Sequence, residues 1–524
     1  MKIVTSAEMR EIDRLSTEKH YIPALMLMEN AGTAVAHFIL RQYPQAKRIL
    51  VVCGKGNNGG DGFVAARKLQ EAGKDVTTIL LAASDEVKGD AEKMLKLLPM
   101  EPACMRGPQK ASAARHVFEE TDVVVDAIFG TGFRPPLPEL AAKVIEIVNS
   151  TKTPVVSVDV PSGVDSNSFA FDQTGACRSN AIVTFTALKP AVAFGELTSG
   201  PIVVANIGSP EYLVRSNLGI EWNDPTAILA ESRRLNSNKG LYGHALIIGG
   251  SRGKSGAPTM ASMAALRTGA GLVTCAVPGS ILSIIAGEMP ELMTESLGET
   301  SCGAIASDAL DDAVLRQILE RKNVVALGPG VGRDPQTVDA VRGFVANCSV
   351  PLVIDADGLN AFEGATHLLD GSERMLVLTP HPGEMARLIG KSVAEIEANR
   401  IGIARQFARE HRLILVLKGW RTLIANPDGQ IWVNTTGNPG LAKGGSGDVL
   451  TGMIAGMIAQ YPQKIADAVR AAVYLHGLAA DCALTQQTER TMLATDVVAA
   501  LPQAFRLVQN ADEFTWIQGG AQRK

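Results

Sequence analysis

From residue 48 onward the chain repeats one rhythm: a short, continuous apolar run, a glycine-rich or acidic turn, then a stretch with helical spacing. Strands without a polar face must be covered on both sides, and strands alternating with helices pair in parallel. The rhythm therefore commits the chain to α/β architecture. In the first half the runs are Arg48–Cys53, Val76–Leu81, Val123–Ile128, Pro154–Val160, Ala181–Ala187 and Ile202–Ile207. Helical stretches lie at Gly62–Ala72, Ala91–Leu98 and Leu140–Ser150, and Ser6–Arg41 reads as helix punctuated by Pro23. The rhythm lapses across Tyr212–Pro225. It restarts at His244–Ile248, continues through Leu272–Val277, Val324–Leu327, Pro351–Ile354, Met375–Leu378, Leu413–Leu417 and Thr422–Ala425, and closes on two long helices, Ser446–Gln460 and Ile465–Thr485. A chain of 524 residues exceeds one domain. Two are expected, 1–218 and 225–510, without a residue-level repeat between them.

Composition removes several classes. Fifty Lys and Arg against 54 Asp and Glu, for a net charge of -4, leave no basic stripe for nucleic acid. No apolar run is long enough for a membrane span, and the N-terminus carries no signal-peptide pattern. Seven Cys with no C-x-x-C pair argue for free thiols in a reducing compartment, so a cytoplasmic protein is expected. Gly/Ala-rich helices suit either a homo-oligomer interface or a core.

In the first half, Cys53 runs into Gly54-Lys55-Gly56-Asn57-Asn58-Gly59-Gly60-Asp61-Gly62 between a strand and a helix. Few side chains let the backbone approach an anion, and the helix start offers free N–H groups. The string is neither the G-x-x-x-x-G-K-[ST] phosphate loop nor a specific dinucleotide turn. Asp126 ends a second strand, followed by Gly130-Thr131-Gly132-Phe133-Arg134-Pro135-Pro136. Asp159 ends a third, with Ser162 beyond it. Ligands of parallel sheets bind at such strand ends. Asn58, Asp126 and Ser162 offer only hard oxygens, suited to an alkali or alkaline-earth cation.

G-x-G-N-N-G-G-D-G, V-D-A-x-F-G-T-G and V-D-x-P-S-G together resemble the NAD(P)H-hydrate epimerase family across essentially the whole first half. The resemblance implies a Rossmann-like three-layer domain that interconverts two epimers of the hydrated cofactor. It implies substrate contacts from Asn57, Asn58, Gly59, Gly60 and Asp61, from Gly130 to Pro136, and from Asp159, the candidate for proton transfer. It implies potassium on Asn58, Asp126 and Ser162. Lys189, in FTALKP, is a weaker candidate to support Asp159 and reads equally well as a solvated lysine.

The sharpest string of the second half is Gly444-Gly445-Ser446-Gly447-Asp448, opening a helix. Such a turn makes an anion hole for a phosphoryl group, and an Asp in the first helical turn can take a hydroxyl proton. Four further strand ends carry Gly or polar groups: Lys418-Gly419-Trp420-Arg421-Thr422, Thr379-Pro380-His381-Pro382-Gly383-Glu384, Gly328-Pro329-Gly330-Val331-Gly332 and Asp355-Ala356-Asp357. Gly249-Gly250-Ser251 with Gly256-Ala257 makes a fifth. One shared cleft is expected.

These strings resemble the ADP-dependent NAD(P)H-hydrate dehydratase family, a branch of the ribokinase-like fold, over Gly243 to Ala500. The resemblance implies that ADP phosphorylates the hydrate and phosphate is then eliminated, yielding NAD(P)H and AMP. Asp448 would be the base; Lys418, Gly419, Trp420, Arg421, Thr422 and Gly447 would contact the AMP part; Ala257, Gly332 and His381 would contact the hydrate. Magnesium would assist phosphoryl transfer, and Asp355 and Asp357 read as partners of metal or phosphate, or as strand-end caps. Together the halves imply a repair enzyme, isomerase and lyase, acting on NADHX and NADPHX. The competing reading is a ribokinase-like vitamin-precursor kinase fused to a non-catalytic Rossmann-like binding domain.

Overall fold

The computed structural model describes residues 1–172, 174–509 and 512–522. The chain forms two compact units, Met1–Leu218 with Asp512–Lys524, and Gly219–Ala511.

The first unit is built on an eight-stranded sheet in the order Thr515–Gln518, Ile202–Ala205, Ala181–Phe185, Val155–Val158, Val123–Ala127, Arg48–Cys53, Asp75–Leu80 and Ala103–Cys104. Every pairing is parallel except that of Thr515–Gln518 with Ile202–Ala205. Alternation along one strand shows the three layers. Ile49, Val51 and Cys53 pack with Phe38, Phe63 and Met94 on one face, while Leu50 and Val52 pack with Phe118, Val144 and Ile145 on the other. The chain leaves Arg48–Cys53 toward one edge and returns on its other side as Val123–Ala127. The crevice at this reversal is where open α/β sheets bind ligands, and the two Gly-rich loops meet there.

The helix after the first loop is Asn57–Glu71, five residues earlier than its apolar spacing indicates. Gly56 caps it, so Asn57 to Gly60 form its first turn and present that turn's free N–H groups. Gly59 is required by packing: a Cβ there would lie 1.8 Å from the Gly54 carbonyl oxygen.

The second unit holds ten strands in the order Met293–Leu297, Leu272–Pro278, His244–Ile248, Val324–Leu327, Leu352–Ile354, Leu376–Leu378, Ile414–Leu417, Leu423–Ala425, Ile431–Val433 and Ile220–Trp222. The unit begins at Gly219, not 225, because Ile220–Trp222 pairs with Ile431–Val433. Three-residue strands at a sheet edge carry too little periodicity to be read from sequence. Position 510, the expected end of this domain, lies outside the described residues. The small residues of the Gly/Ala-rich helices serve the core: a Cβ on Gly452 or Gly456 of Ser446–Gln460 would lie 1.9 or 2.6 Å from carbonyl oxygens of Gly256–Thr268. Among the described residues no helix is long and apolar enough to cross a membrane.

The closing strand was not foreseen. Phe514, Trp516 and Ile517 are buried in the first unit, and Phe514 meets Phe38 edge to face at 5.9 Å. Trp516→Ala is expected to destabilise this unit by about 3 kcal/mol or more, measured as a fall in its calorimetric unfolding midpoint.

Candidate active sites

A cavity of about 840 Å3 opens at the chain reversal of the first unit. Asn57, Asn58, Asp61, Gly130, Thr131, Gly132, Phe133, Arg134, Pro136 and Asp159 line it, as does Lys189. Gly59, Gly60 and Pro135 do not. A Cβ on Gly60 would strike the Met28 sulfur at 2.6 Å, so these two glycines let the loop pack, and Pro135 precedes Pro136 through a cis bond.

Asp159 is held tightly. Its backbone sits at φ 65° and its N–H donates to the Val183 carbonyl at 2.8 Å. Oδ1 accepts from Lys189 Nζ at 2.6 Å and from Thr184 Oγ1 at 3.0 Å. Oδ2 accepts from the Thr131 N–H at 3.0 Å and from its hydroxyl. Burial by itself would raise this carboxyl, but the Lys189 charge and these donors outweigh it and keep Asp159 below the usual carboxylate range. Lys189 is not solvated: it is 1% exposed, and its three protons go to Asp159, Thr184 Oγ1 and the Phe185 carbonyl. Burial followed by the Asp159 charge pushes Asp61 well up.

Asp126 and Ser162 lie behind this cavity, at the turn that carries Gly130. Ser162 donates its hydroxyl and its N–H to the Asp126 carboxylate, and its Oγ lies 3.3 Å from the Phe129 carbonyl oxygen. Ser157 also donates to Asp126. The Asn58 side chain flanks Gly130, with its Nδ2 buried and unpartnered.

In the second unit a cavity of about 670 Å3 brings together Lys418, Gly419, Trp420, Arg421, Thr422, Gly447, Asp448 and His381, with Asp355 and Glu384. Gly445, at φ 92°, caps the helix Ser446–Gln460, and Asp448 stands in its first turn. Burial, then the Asp355 charge, pushes Asp448 up to about 6, with Lys418 opposing. Lys418 donates to Asp355 at 2.9 Å and reaches within 3.3 Å of a Cβ position on Gly447. Burial works against its charge, yet Asp355 and Glu384 hold it above its ordinary value. Arg421 is buried under the Trp420 ring, 4.3 Å from its centroid, and donates to the Thr435 carbonyl.

His381 has a second occupation. Its Nδ1 accepts from the Gly383 and Glu384 N–H groups, and the His381 N–H donates to the Glu384 carboxylate, closing a box around the start of Pro382–Ile389. Pro382 takes the first helical position, and the ring lines the cavity. Ala257 and Gly332 lie beside Gly330 and Asp357 and do not line the cavity itself; Asp357 accepts from the Gly332 N–H and Lys254 at 3.0 Å each.

Among the cavity residues that carried no sequence signal is one titratable group in each unit. Asp13 in the first unit and His476 in the second sit on long helices whose spacing reads as ordinary amphipathic pattern. Burial lowers His476 to about 4, so it is neutral.

One α/β unit holds a buried cluster of Asp, Lys and Thr side chains, and the other a Gly-rich helix start with an Asp in its first turn. Residues 24–191 match the sequence model of the YjeF-related protein N-terminus, and residues 245–503 that of NAD(P)H-hydrate dehydratase. A bifunctional NAD(P)H-hydrate repair enzyme of Moorella thermoacetica is 43% identical, covering 98% of both chains. Another from Thermofilum pendens is 37% identical, covering 97% of both. A solved ADP/ATP-dependent NAD(P)H-hydrate dehydratase from Bacillus subtilis, co-crystallised with ATP and magnesium, is 32% identical, covers 56% of this chain and 99% of its own, and superposes with a TM-score of 0.48. The chain belongs to the family of bifunctional NAD(P)H-hydrate repair enzymes.

Replacing Lys189 with Met leaves Asp159 buried without its counter-charge. The expected cost is about 3–5 kcal/mol in denaturant unfolding of the first unit. Because the native pair keeps Asp159 low, its stabilisation is full above the ordinary Asp range and is lost as pH falls through the depressed value. The variant loses that acid-side dependence.

Proposed function

We propose that the first unit interconverts the R and S epimers of NADHX and NADPHX, and that the second unit dehydrates the S epimer with ADP, releasing AMP and phosphate. The carrying observation is Asp448 in the first turn behind Gly444–Gly447, raised by burial and faced by Lys418. Asp448 takes the proton of the hydrate hydroxyl while the helix-start N–H groups and Lys418 neutralise the phosphoryl group passing from ADP. The C–O bond of the phosphate ester then breaks, phosphate leaves, and the neighbouring carbon gives up a proton, restoring the ring double bond. Trp420 and Arg421 would hold the AMP part. His381, on the cavity lining, would touch the hydrate, together with Ala257 and Gly332.

Asp355, Glu384 and Asp448 give the cavity carboxylates that fit magnesium, which needs only one or two beside substrate phosphates; bound there, it would neutralise phosphate charge. In the first unit, Asp159 takes and returns the proton of epimer exchange. The oxygen-only donors of Asp126 and Ser162, with the Asn58 amide at the same turn, fit potassium better than a transition metal. A potassium ion there would brace the Gly130 turn over the substrate. Seven free thiols suit a cytoplasmic, reducing setting.

The test mixes epimeric NADHX with the protein and ADP and follows NADH absorbance. Full recovery, faster than spontaneous epimer exchange, is expected. Recovery stopping near half would remove the epimerase activity, and none with ADP or ATP would return the chain to the vitamin-precursor kinase with a non-catalytic first domain. Asp448→Asn should cut dehydration by about 10²–10⁴-fold. Since the base must be ionised, the wild-type rate should fall as pH drops below about 6.

A further inference from the structure

Hydration of an enamine puts the hydroxyl on the carbon bonded to nitrogen, so each hydrate is a hemiaminal. Hemiaminals epimerise by ring opening and closing, which needs a base at the hydroxyl and an acid at the nitrogen. Asp159 supplies a base; the acid has still to be assigned.

We propose that Asp13 is the general acid of epimer exchange, working with Asp159; this rests on the epimerase reading above. Asp13 lies on the helix Ser6–His20, which a Thr5–Glu8 capping box starts and which buries Met9, Ile12 and Ser16. At the edge of that buried face it enters the same cavity as Thr131, Asp159 and Lys189. Its Oδ1 is buried without a hydrogen-bond donor. A carboxylate oxygen in that condition forfeits its solvation, whereas a protonated carboxyl tolerates it. The cation that could rescue an anion there, Lys189, has its three protons committed.

The other charged groups on the cavity wall have partners elsewhere. Arg14 pairs with Glu11 and Glu18, Lys55 with Glu86, and Asp90 with Lys93. Arg10 donates to the Ser6 carbonyl, and Arg134 to the Phe133 carbonyl and the Ser6 hydroxyl. Asp61, in the same cavity, is a second carboxyl pushed up by burial and then by the Asp159 charge, so it brings no cation to Asp13. Consistently, burial and the Asp159 charge outweigh Lys189 and bring Asp13 to about 6. Two carboxyls in one cavity whose surroundings drive their proton affinities apart, Asp159 held low and Asp13 raised, are the pattern of an acid–base pair.

The cycle closes on itself. Asp159 takes the hydroxyl proton, the carbon–nitrogen bond breaks to an aldehyde, and the nitrogen receives the Asp13 proton. Rotation about the adjoining carbon–carbon bond presents the other aldehyde face. Nitrogen re-adds, its proton returns to Asp13, and the alkoxide recovers its proton from Asp159. No oxidant, metal step or net water is consumed.

The experiment measures R-to-S exchange of NADHX without nucleotide, by chromatography, in wild type, Asp13→Asn and Asp13→Glu. Dehydration of pure S epimer with ADP, carried by the second unit, reports a folded chain. Asp13→Asn should exchange epimers at least about 100-fold more slowly with dehydration retained, and Asp13→Glu should recover a tenth or more of wild-type exchange. Exchange by Asp13→Asn within threefold of wild type would overturn the proposal, as would equal losses in both variants, which would make the residue a matter of shape. Wild type without exchange would overturn the epimerase reading, and this inference with it.

Discussion

Charge stored inside a protein needs its opposite within reach, and the first unit is organised around that requirement. Asp159 follows a central strand, away from solvent, and Lys189, capping the short helix Pro190–Phe194 that follows the neighbouring strand Ala181–Phe185, reaches it. The lysine adds one proton to the Thr184 hydroxyl and another to the Phe185 carbonyl, so it ties the strand end to the carboxylate it neutralises. Thr131 fixes the facing Gly-rich loop to the other carboxyl oxygen. Three separate chain segments are thereby registered on one group.

The second unit solves the same electrostatic problem with the opposite result. Lys418 is also a buried ammonium, but it is claimed by Asp355, which Thr451 engages on its other oxygen. Asp448 receives only the remainder of that positive charge and is left close to neutrality's edge. A carboxylate kept firmly ionised and one kept near its midpoint are suited to different tasks: the first to hold charge steady through a reversible exchange, the second to pick up a proton once per turnover.

Much of this was legible in the chain. Continuous apolar runs gave the strands to within a residue or two, and the Gly-rich and acidic strand ends marked both cavities, because ligand-facing chemistry in parallel sheets concentrates there. What escaped lies where periodicity is uninformative. Asp13 and His476 occupy helices whose patterns explain themselves by burial. The edge strand Ile220–Trp222 is too short to alternate, and Thr515–Gln518 falls after a long helical region with nothing local to say which sheet it joins. His381 lines the cavity and also caps a helix, and Gly59 and Gly60 also let the loop pack; these second roles are not marked in the sequence.

The closing strand has a consequence for how the molecule is made. Because Thr515–Gln518 completes the sheet that begins at Arg48, everything from Gly219 to Ala511 is an insertion between two hydrogen-bonded neighbours of one sheet. On the ribosome the first unit therefore waits, one edge of its sheet open, while the whole second unit is synthesised. A loop of nearly 300 residues is closed only at the last step, and the exposed flank of Ile202–Ala205 is the place where a nascent or truncated chain would be open to mispairing.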